Sequence, residues 1–331
     1  MKKKRILVTG AGGFIGSNLV ETLIKKNFKV TALVQYSVDN NYGWLDSIKI
    51  KNNNPKIITG DICDSIFVDK ICRNIDYIIH LAALISIPYS YRSPLSYINT
   101  NILGTTNLLE GCRKYKIKHF IHTSTSEVYG SAKYAPIDEN HPLNAQSPYA
   151  ASKIASDQIC LSFQKSFNLP ITIIRPFNTF GPRQSLRAVI PTILYQASIN
   201  NTIELGNLDA TRDFTFVDDT VNGFICALNK KKTIGEVINL GTGYEISIRD
   251  IVKLTSKILN KKLIIKKKTE RFRPKKSEVT RLVSNNKKAK KLIKWKPNYA
   301  LKKGFEKGLI KTLKWVLEQK KDIVKLKRFN D

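Results

Sequence analysis

Between Phe120 and Lys153 the chain carries a hydroxyl at Thr125, a carboxylate at Glu127, a phenol at Tyr149 and an ammonium at Lys153. Together these groups can move a proton and a hydride at an alcohol carbon. Tyr149 and Lys153 are four residues apart, which on a helix places both on one face. A nearby ammonium favours phenolate, so the pair predicts a tyrosine drawn down toward neutrality and able to act as a base. Ser147-Pro148 is a good opening for such a helix. The same spacing recurs at Tyr129/Lys133 and Tyr299/Lys303, so spacing alone does not choose. Tyr129 precedes Gly130 at what reads as a strand end, where no helix aligns the pair, and Tyr299 lies far along the chain. Tyr149 alone follows a helix start and has Thr125 two dozen residues before it to share its proton.

The elements that must position these groups begin with the apolar run Ile6-Leu7-Val8, which stops at Thr9-Gly10-Ala11-Gly12-Gly13-Phe14-Ile15-Gly16 and gives way to Leu19, Leu23 and Ile24 at helical spacing. Strand, glycine turn and helix in that order form a dinucleotide cradle: Gly10, Gly13 and Gly16 allow a tight turn, close approach of a pyrophosphate and helix-on-strand packing, with Phe14 and Ile15 at the helix start. The next strand, Lys29 to Val34, ends at Gln35 rather than an acidic residue, and no arginine follows for a 2′-phosphate. Gln35 can still bond a ribose hydroxyl, so the expected cofactor is NAD. Lys56 to Ile62 reads as a third strand, with Asp61 and Ile62 toward the adenine. Tyr77 to Ala83 reads as a fourth, whose small tip at Leu81, Ala82 and Ala83 lets a cofactor lie close. An amphipathic helix over 99–113, a strand at His119 to His122, a helix over 150–167 and a strand at Ile171 to Ile174 complete the pattern. Strands alternating with helices predict an α/β fold: a Rossmann-type, doubly wound parallel sheet with ligands at the C-terminal strand ends, and a smaller C-terminal substrate-binding lobe. The expected division is 1–175 for the cofactor domain, with a return of the chain around 212–243, and 176–331 mainly for the substrate.

From Arg175 the texture changes. Arg175 to Gln184, Arg212-Asp213-Phe214 and Glu270 to Pro274 read as arginine-bearing loops suited to a diphosphate, because a planar guanidinium can hold two oxygens at once. The net charge of +30 comes from 56 Lys and Arg against 26 Asp and Glu. The lysines are scattered, crowd only between Lys261 and Lys303, and lack interleaved stacking aromatics, which describes a solvated surface and no specific nucleic-acid partner. The five cysteines show no C-x-x-C pair and no metal spacing, fitting a reducing cytoplasm and no metal site. The lysines and arginine after Met1 are followed by too short an apolar run for a secretion signal, and no run is long enough to span a membrane.

The motifs V-T-G-A-G-G-F-I-G, G-D-I, H-L-A-A, S-T-S-E-V-Y-G, Y-A-A-S-K, R-P-F-N-T-F-G-P-R and R-D-F-T-F-V-D-D together resemble the extended short-chain dehydrogenase/reductases, the NAD-dependent epimerase/dehydratase family, from Ile6 to about Trp315. A-L-V-Q-Y with N-Y-G-W-L-D, then A-V-I-P-T and R-P-K-K-S-E-V, most resemble bacterial nucleotide-sugar 4,6-dehydratases of the legionaminic acid pathway. The resemblance implies Thr125, Tyr149 and Lys153 as a catalytic triad and Glu127 as dehydratase base. It places Gly10, Gly13, Gly16 and Asp61 at NAD, Pro176 by the nicotinamide, and Asn178, Arg183, Val189, Arg212 and Arg273 toward the sugar nucleotide. The implied reaction oxidises C4, eliminates water across C5 and C6 and returns the hydride to C6, with UDP-N-acetylglucosamine as the implied substrate and its GDP counterpart open. Ser126 stands where glucose-type dehydratases carry an aspartic acid for the leaving hydroxyl, and serine is a weak acid, so Glu127 returns the proton it took. UDP-glucuronate decarboxylases share S-T-S-E-V-Y-G, though their lysine is usually followed by arginine and here Ile154 follows Lys153; simple 4-epimerases lack the glutamate. The helices over 99–113 and 150–167 match those that pair in family homodimers.

Overall fold

The computed structural model describes residues 3–39, 41–48, 54–228, 230–268 and 274–319. The first part of the chain is β1 (Arg5–Thr9), α1 (Phe14–Lys25), β2 (Lys29–Val34), β3 (Lys56–Thr59), α2 (Ser65–Cys72), β4 (Tyr77–His80), α3 (Ile87–Arg92), α4 (Pro94–Tyr97), α5 (Gly104–Tyr115), β5 (His119–Thr123), α6 (Pro148–Phe167) and β6 (Ile171–Pro176). The remainder is β7 (Asn178–Phe180), α7 (Val189–Ile199), β8 (Thr202–Leu205), β9 (Thr211–Phe216), α8 (Val217–Ala227), β10 (Val237–Leu240), β11 (Glu245–Ser247), α9 (Ile248–Leu259), β12 (Ile264–Lys267), β13 (Arg281–Leu282), α10 (Lys287–Ile293) and α11 (Leu301–Glu318).

Seven strands form one sheet in the order β10, β6, β5, β4, β1, β2, β3, and every neighbouring pair in it is parallel. Parallel strands need both faces covered, which is why they are written as near-continuous apolar runs. Ile6, Leu7, Val8, Ile78, Ile79, Ile121, Ile173 and Ile174 are all fully buried. Helix α1 covers one face with Leu19, Val20, Leu23 and Ile24, while α2, α5 and α6 enclose a second cluster around Leu7, Ile78, Leu108 and Phe120. The strand order reverses between β1 and β4, so the loops after these two strands diverge and leave a crevice at their C-terminal ends.

The third and fourth strands end earlier than expected, at Thr59 and His80, which leaves Asp61, Ile62 and Leu81 to Ala83 on the loops that rim the crevice. The helix expected over 99–113 begins with a π-helical stretch, Ile98–Leu103, before α5 continues to Tyr115. Beyond β6, β9 sits between β11 and β13 and also pairs with β7, while β12 pairs with β8. The largest apolar core runs unbroken from β1 and α1 into Phe180, Phe216, Phe224, Trp295 and Phe305. Among the described residues no helix is long and apolar enough to cross a membrane.

Candidate active site

The turn after β1 shows why its glycines are glycines. Gly10 has φ +65° and a Cβ there would lie 2.7 Å from the Ala82 nitrogen; at Gly16 it would lie 2.2 Å from the Gly10 oxygen. Both positions are closed by the protein's own backbone. Gly13 differs, since a Cβ would meet only the Gly10 oxygen at 3.3 Å. Gly13 caps α1 with no side-chain hydrogen bond, and the first turn of α1 holds no acidic residue. The first amides of α1, at Phe14 and Ile15, therefore lack an internal cap and face a glycine, the donor set an anionic pyrophosphate fits. Thr9 ties this turn to the neighbouring loop: its Oγ1 accepts from the Leu81 and Ala82 nitrogens, 3.1 Å each, and its proton goes to Nδ1 of His80 at 2.8 Å. Gln35 lies exposed just past β2, and Asp61 is exposed past β3 with Oδ1 accepting from the Cys63 nitrogen at 2.9 Å.

The predicted catalytic groups come together one strand away. β5 ends at Thr123, and Ser126–Tyr129 forms a single 3-10 turn capped by Thr125, whose Oγ1 accepts from the Glu127 nitrogen at 3.2 Å. Tyr129 thus sits in a turn rather than at a strand end; its hydroxyl accepts from Arg175 at 3.0 Å and donates to Asn239 at 2.7 Å, so it belongs to a buried network. Across from it, Ser147 Oγ accepts from the Ala150 nitrogen and Pro148 occupies the first turn of α6, fixing the start of the helix that carries Tyr149 and Lys153. Tyr149 is 7% exposed, Lys153 2%, Ser126 2% and Glu127 9%, so all four groups are withdrawn from bulk water.

Electrostatics revise one expectation. Burial pushes the Tyr149 phenol well up; the Thr125 hydroxyl, within hydrogen-bonding reach, pulls it down, and the Glu127 carboxylate pushes it up again. The tyrosine is therefore not drawn toward neutrality by Lys153 in this environment, because the cost of a desolvated phenolate exceeds the help of its neighbours. Lys153 is itself lowered to about 8 by burial, with Asp157 acting against that shift.

Two of the arginines expected on diphosphate-binding loops, Arg175 and Arg212, stand in strands. Arg175 is in β6, 3% exposed, and its Nε and Nη2 donate to Asp157 Oδ2 at 3.1 and 3.0 Å, so it is a buried counter-ion and not a loop ligand. Arg212, in β9, donates to the Thr211, Val279 and Thr280 carbonyls, which spends donors on the segment before β13. Arg183 has φ +72° and pairs with Glu21 of α1 at 2.6 Å, while its Nη1 and the nearby Asn178 Oδ1 are buried without a partner. Unsatisfied polar atoms of this kind are costly unless something completes them; Asn178 opens β7 and Arg183 lies on the loop between β7 and α7. Pro176 ends β6 beside Leu240, and Val189 opens α7. Arg273 lies outside the described residues.

The sequence matches the GDP-mannose 4,6 dehydratase family over residues 7–308. The chain belongs to that family. Members of this dehydratase and epimerase group are similar to it across most of its length. A dTDP-D-glucose 4,6-dehydratase of Dictyostelium discoideum is 37% identical over 78% of this chain and 62% of the relative. A putative UDP-glucose 4-epimerase of Methanocaldococcus jannaschii is 34% identical over 91% and 96%. Among solved structures, UDP-glucuronic acid 4-epimerase from Bacillus cereus, in complex with UDP-glucuronic acid and NAD, has a TM-score of 0.85 at 31% identity, covering 95% of this chain and 99% of that one. dTDP-glucose 4,6-dehydratase from Bacillus anthracis, in complex with NAD, has a TM-score of 0.83 at 28% identity, covering 96% and 98%. The expected cofactor, NAD, is the one present in both structures.

Two residues that support this dehydratase-family site escaped the sequence reading. Asn101, 1% exposed in the π-helical stretch, accepts from the Leu84 nitrogen and donates to Leu84 O and Ser152 Oγ at 3.0 and 2.9 Å. It fastens the β4 loop to the turn of α6 that holds Tyr149. Gln146, just before α6, accepts from the Ser131 nitrogen and donates to Lys276 O, joining the start of α6 to the segment before β13. A buried amide inside an apolar helix face was the available signal for Asn101; Gln146 gave none.

Proposed function

We propose that this protein is an NAD-dependent nucleotide-sugar 4,6-dehydratase acting on UDP-N-acetylglucosamine or its GDP counterpart, of the kind used in legionaminic acid synthesis. The single observation that carries the reading is Glu127: a carboxylate buried two residues after Thr125 and close enough to Tyr149 to raise its pKa. Hydride exchange at C4 needs only the triad, whereas water loss needs a second base for C5, a role this reading gives to Glu127. The uncapped start of α1, Gln35, Asp61 and the Leu81–Ala83 loop would hold NAD, which would supply a reversible hydride acceptor for the sugar. Tyr149 takes the C4 hydroxyl proton, with Thr125 relaying it. Glu127 removes the C5 proton, made acidic by the C4 carbonyl, and delivers it to the C6 hydroxyl as that leaves; Ser126 orients the departing water. As C6 is reduced, C5 is reprotonated by a solvent proton taken up through Glu127, and the proton that Tyr149 took from the C4 hydroxyl passes to solvent, so one water is the net loss. On this reading Asn178, Arg183 and Val189 lie toward the sugar nucleotide, with Arg212 behind them holding the segment before β13; Arg273 is assigned there by resemblance alone.

A second reading is 4-epimerisation, favoured by the Bacillus cereus neighbour, an epimerase similar over 95% of this chain. The test is turnover in D2O: a dehydratase incorporates deuterium at C5 and releases water, and Glu127→Gln abolishes both. An unchanged mass with inversion at C4 identifies the epimerase. The protein is further proposed to be a cytoplasmic homodimer without a specific nucleic-acid or membrane partner.

A further inference from the structure

Behind Lys153 lies a set of buried charges that the proposed reaction does not itself use. Asp157 follows Lys153 by one turn of α6 on the same face and is fully buried, as are His122 of β5 and, nearly so, Arg175 of β6. One carboxylate oxygen, Oδ2, is saturated: it accepts from Arg175 Nε and Nη2 and from Ser124 Oγ at 2.8 Å. The other, Oδ1, has no hydrogen bond, and its nearest charged-group neighbour in this cluster is His122 Nε2 at 3.4 Å in poor alignment. Ser156 Oγ donates to Lys153 O and lies 3.3 Å from the same His122 nitrogen, so His122 carries its proton on Nε2 and is neutral. The cluster therefore sets one carboxylate against two buried cations, Arg175 and Lys153.

We propose that Asp157 is a positioning residue that keeps Lys153 cationic, its rigidly held carboxylate supplying the buried negative charge that the ammonium would otherwise lack. The proposal rests on the assignment of Lys153 to the catalytic site. Residues four apart on a helix have Cβ atoms about 5–6 Å apart, a range at which a unit charge in a protein interior shifts a pKa by about one to two units. Arg175 offsets part of the benefit but fixes the carboxylate through two hydrogen bonds.

The neighbours on β4, β5, β6 and α6 whose shifts are set by burial and charge are moved away from the range in which Lys153 titrates. His80 of β4 is held well below its ordinary value by burial, and His122 is pulled to about 4 by burial and by Lys153. On α6, burial pushes Tyr149 and Cys160 up, and Asp157 is lowered despite its burial, by His122 and Arg175. Arg175 stays charged.

The experiment is NMR of protein labelled with 13C at the lysine ε-carbons, in the NAD-bound state, the Lys153 signal being assigned as the one absent in Lys153→Met. In the native protein it titrates near pH 8. In Asp157→Asn its midpoint falls by about one unit or more, and the alkaline limb of kcat/KM falls with it. In Arg175→Met, which removes the competing cation, the midpoint rises. A change that is only structural moves activity without opposite shifts in the two variants. A Lys153 midpoint that stays put in folded Asp157→Asn, or that falls in Arg175→Met, overturns the proposal. Because the NMR midpoint is read without turnover, failure of the dehydratase reading leaves it intact and is seen separately, in the product.

Discussion

At the residue scale, the proposed reaction separates the group that must lose a proton, Tyr149, from the group that must stay charged, Lys153. Burial disfavours both phenolate and ammonium, so proton removal by Tyr149 depends on Thr125 and on a cationic Lys153. Tyr149→Phe keeps the ring and its packing against Tyr97, 6.2 Å away edge-on, but has no proton to exchange. It should bind NAD as before and lose about a hundred- to ten-thousand-fold in kcat, read by cofactor titration beside turnover. Lys153 gives a pH dependence of definite sign. With its pKa lowered to about 8, it is charged below that value and neutral above, so kcat/KM should fall as pH rises through 8. The same depression bears on stability: the folded protein gives up this proton before the unfolded chain does, so the cost of burying the ammonium is full at neutral pH and is relieved between about 8 and the ordinary lysine value of 10.5. Glu127→Gln should still oxidise C4, seen as a stoichiometric rise in reduced cofactor absorbance, and should release no water. That Tyr149, Lys153, Thr125 and Glu127 come together was legible because they are close in sequence and their spacing follows from a helix and a turn. Asp157 stands one helical turn farther on, but its meaning depends on Arg175, which only the sheet brings alongside.

At the element scale, the cofactor crevice is set by backbone fit. Gly16→Ala drives a Cβ to 2.2 Å from the Gly10 oxygen and should cost about 1–3 kcal/mol of stability, measured by denaturant unfolding. Gly13→Ala meets its neighbour at 3.3 Å and should leave stability nearly unchanged while weakening NAD, because the added methyl stands where the anion approaches the uncapped amides. Loss of stability without loss of NAD affinity in Gly13→Ala would count against the assignment. The seven-strand sheet was legible in outline since buried parallel strands are written as unbroken apolar runs. The π-helical stretch and the strands β7, β11 and β13, of two or three residues each, carry too little pattern to be read without tertiary pairing. Arg175 was misplaced for a related reason: a charged residue at the end of an apolar run reads as the start of a loop, unless the buried carboxylate that receives it is known.

At the scale of the whole molecule, the charge of +30 and the exposed apolar residues make different demands. Ile98 and Leu103, at the two ends of the π-helical stretch that leads into α5, and Phe167 at the end of α6 are each 47% exposed. They lie along the two helices proposed to pair between copies, and a homodimer would withdraw them from water. Light scattering should therefore give about twice the 37.5 kDa of the chain, and Leu103→Glu should shift the mass toward the monomer; a monomeric native protein would remove the claim. The central claim remains the water loss that Glu127 makes possible. Its most direct test is mass spectrometry of the sugar nucleotide after incubation with NAD and, separately, UDP-N-acetylglucosamine, its GDP counterpart and UDP-glucuronate. The account predicts loss of one water from an acetylglucosamine nucleotide with no net reduced cofactor. An epimer of unchanged mass, or loss of carbon dioxide from the glucuronate, would contradict it.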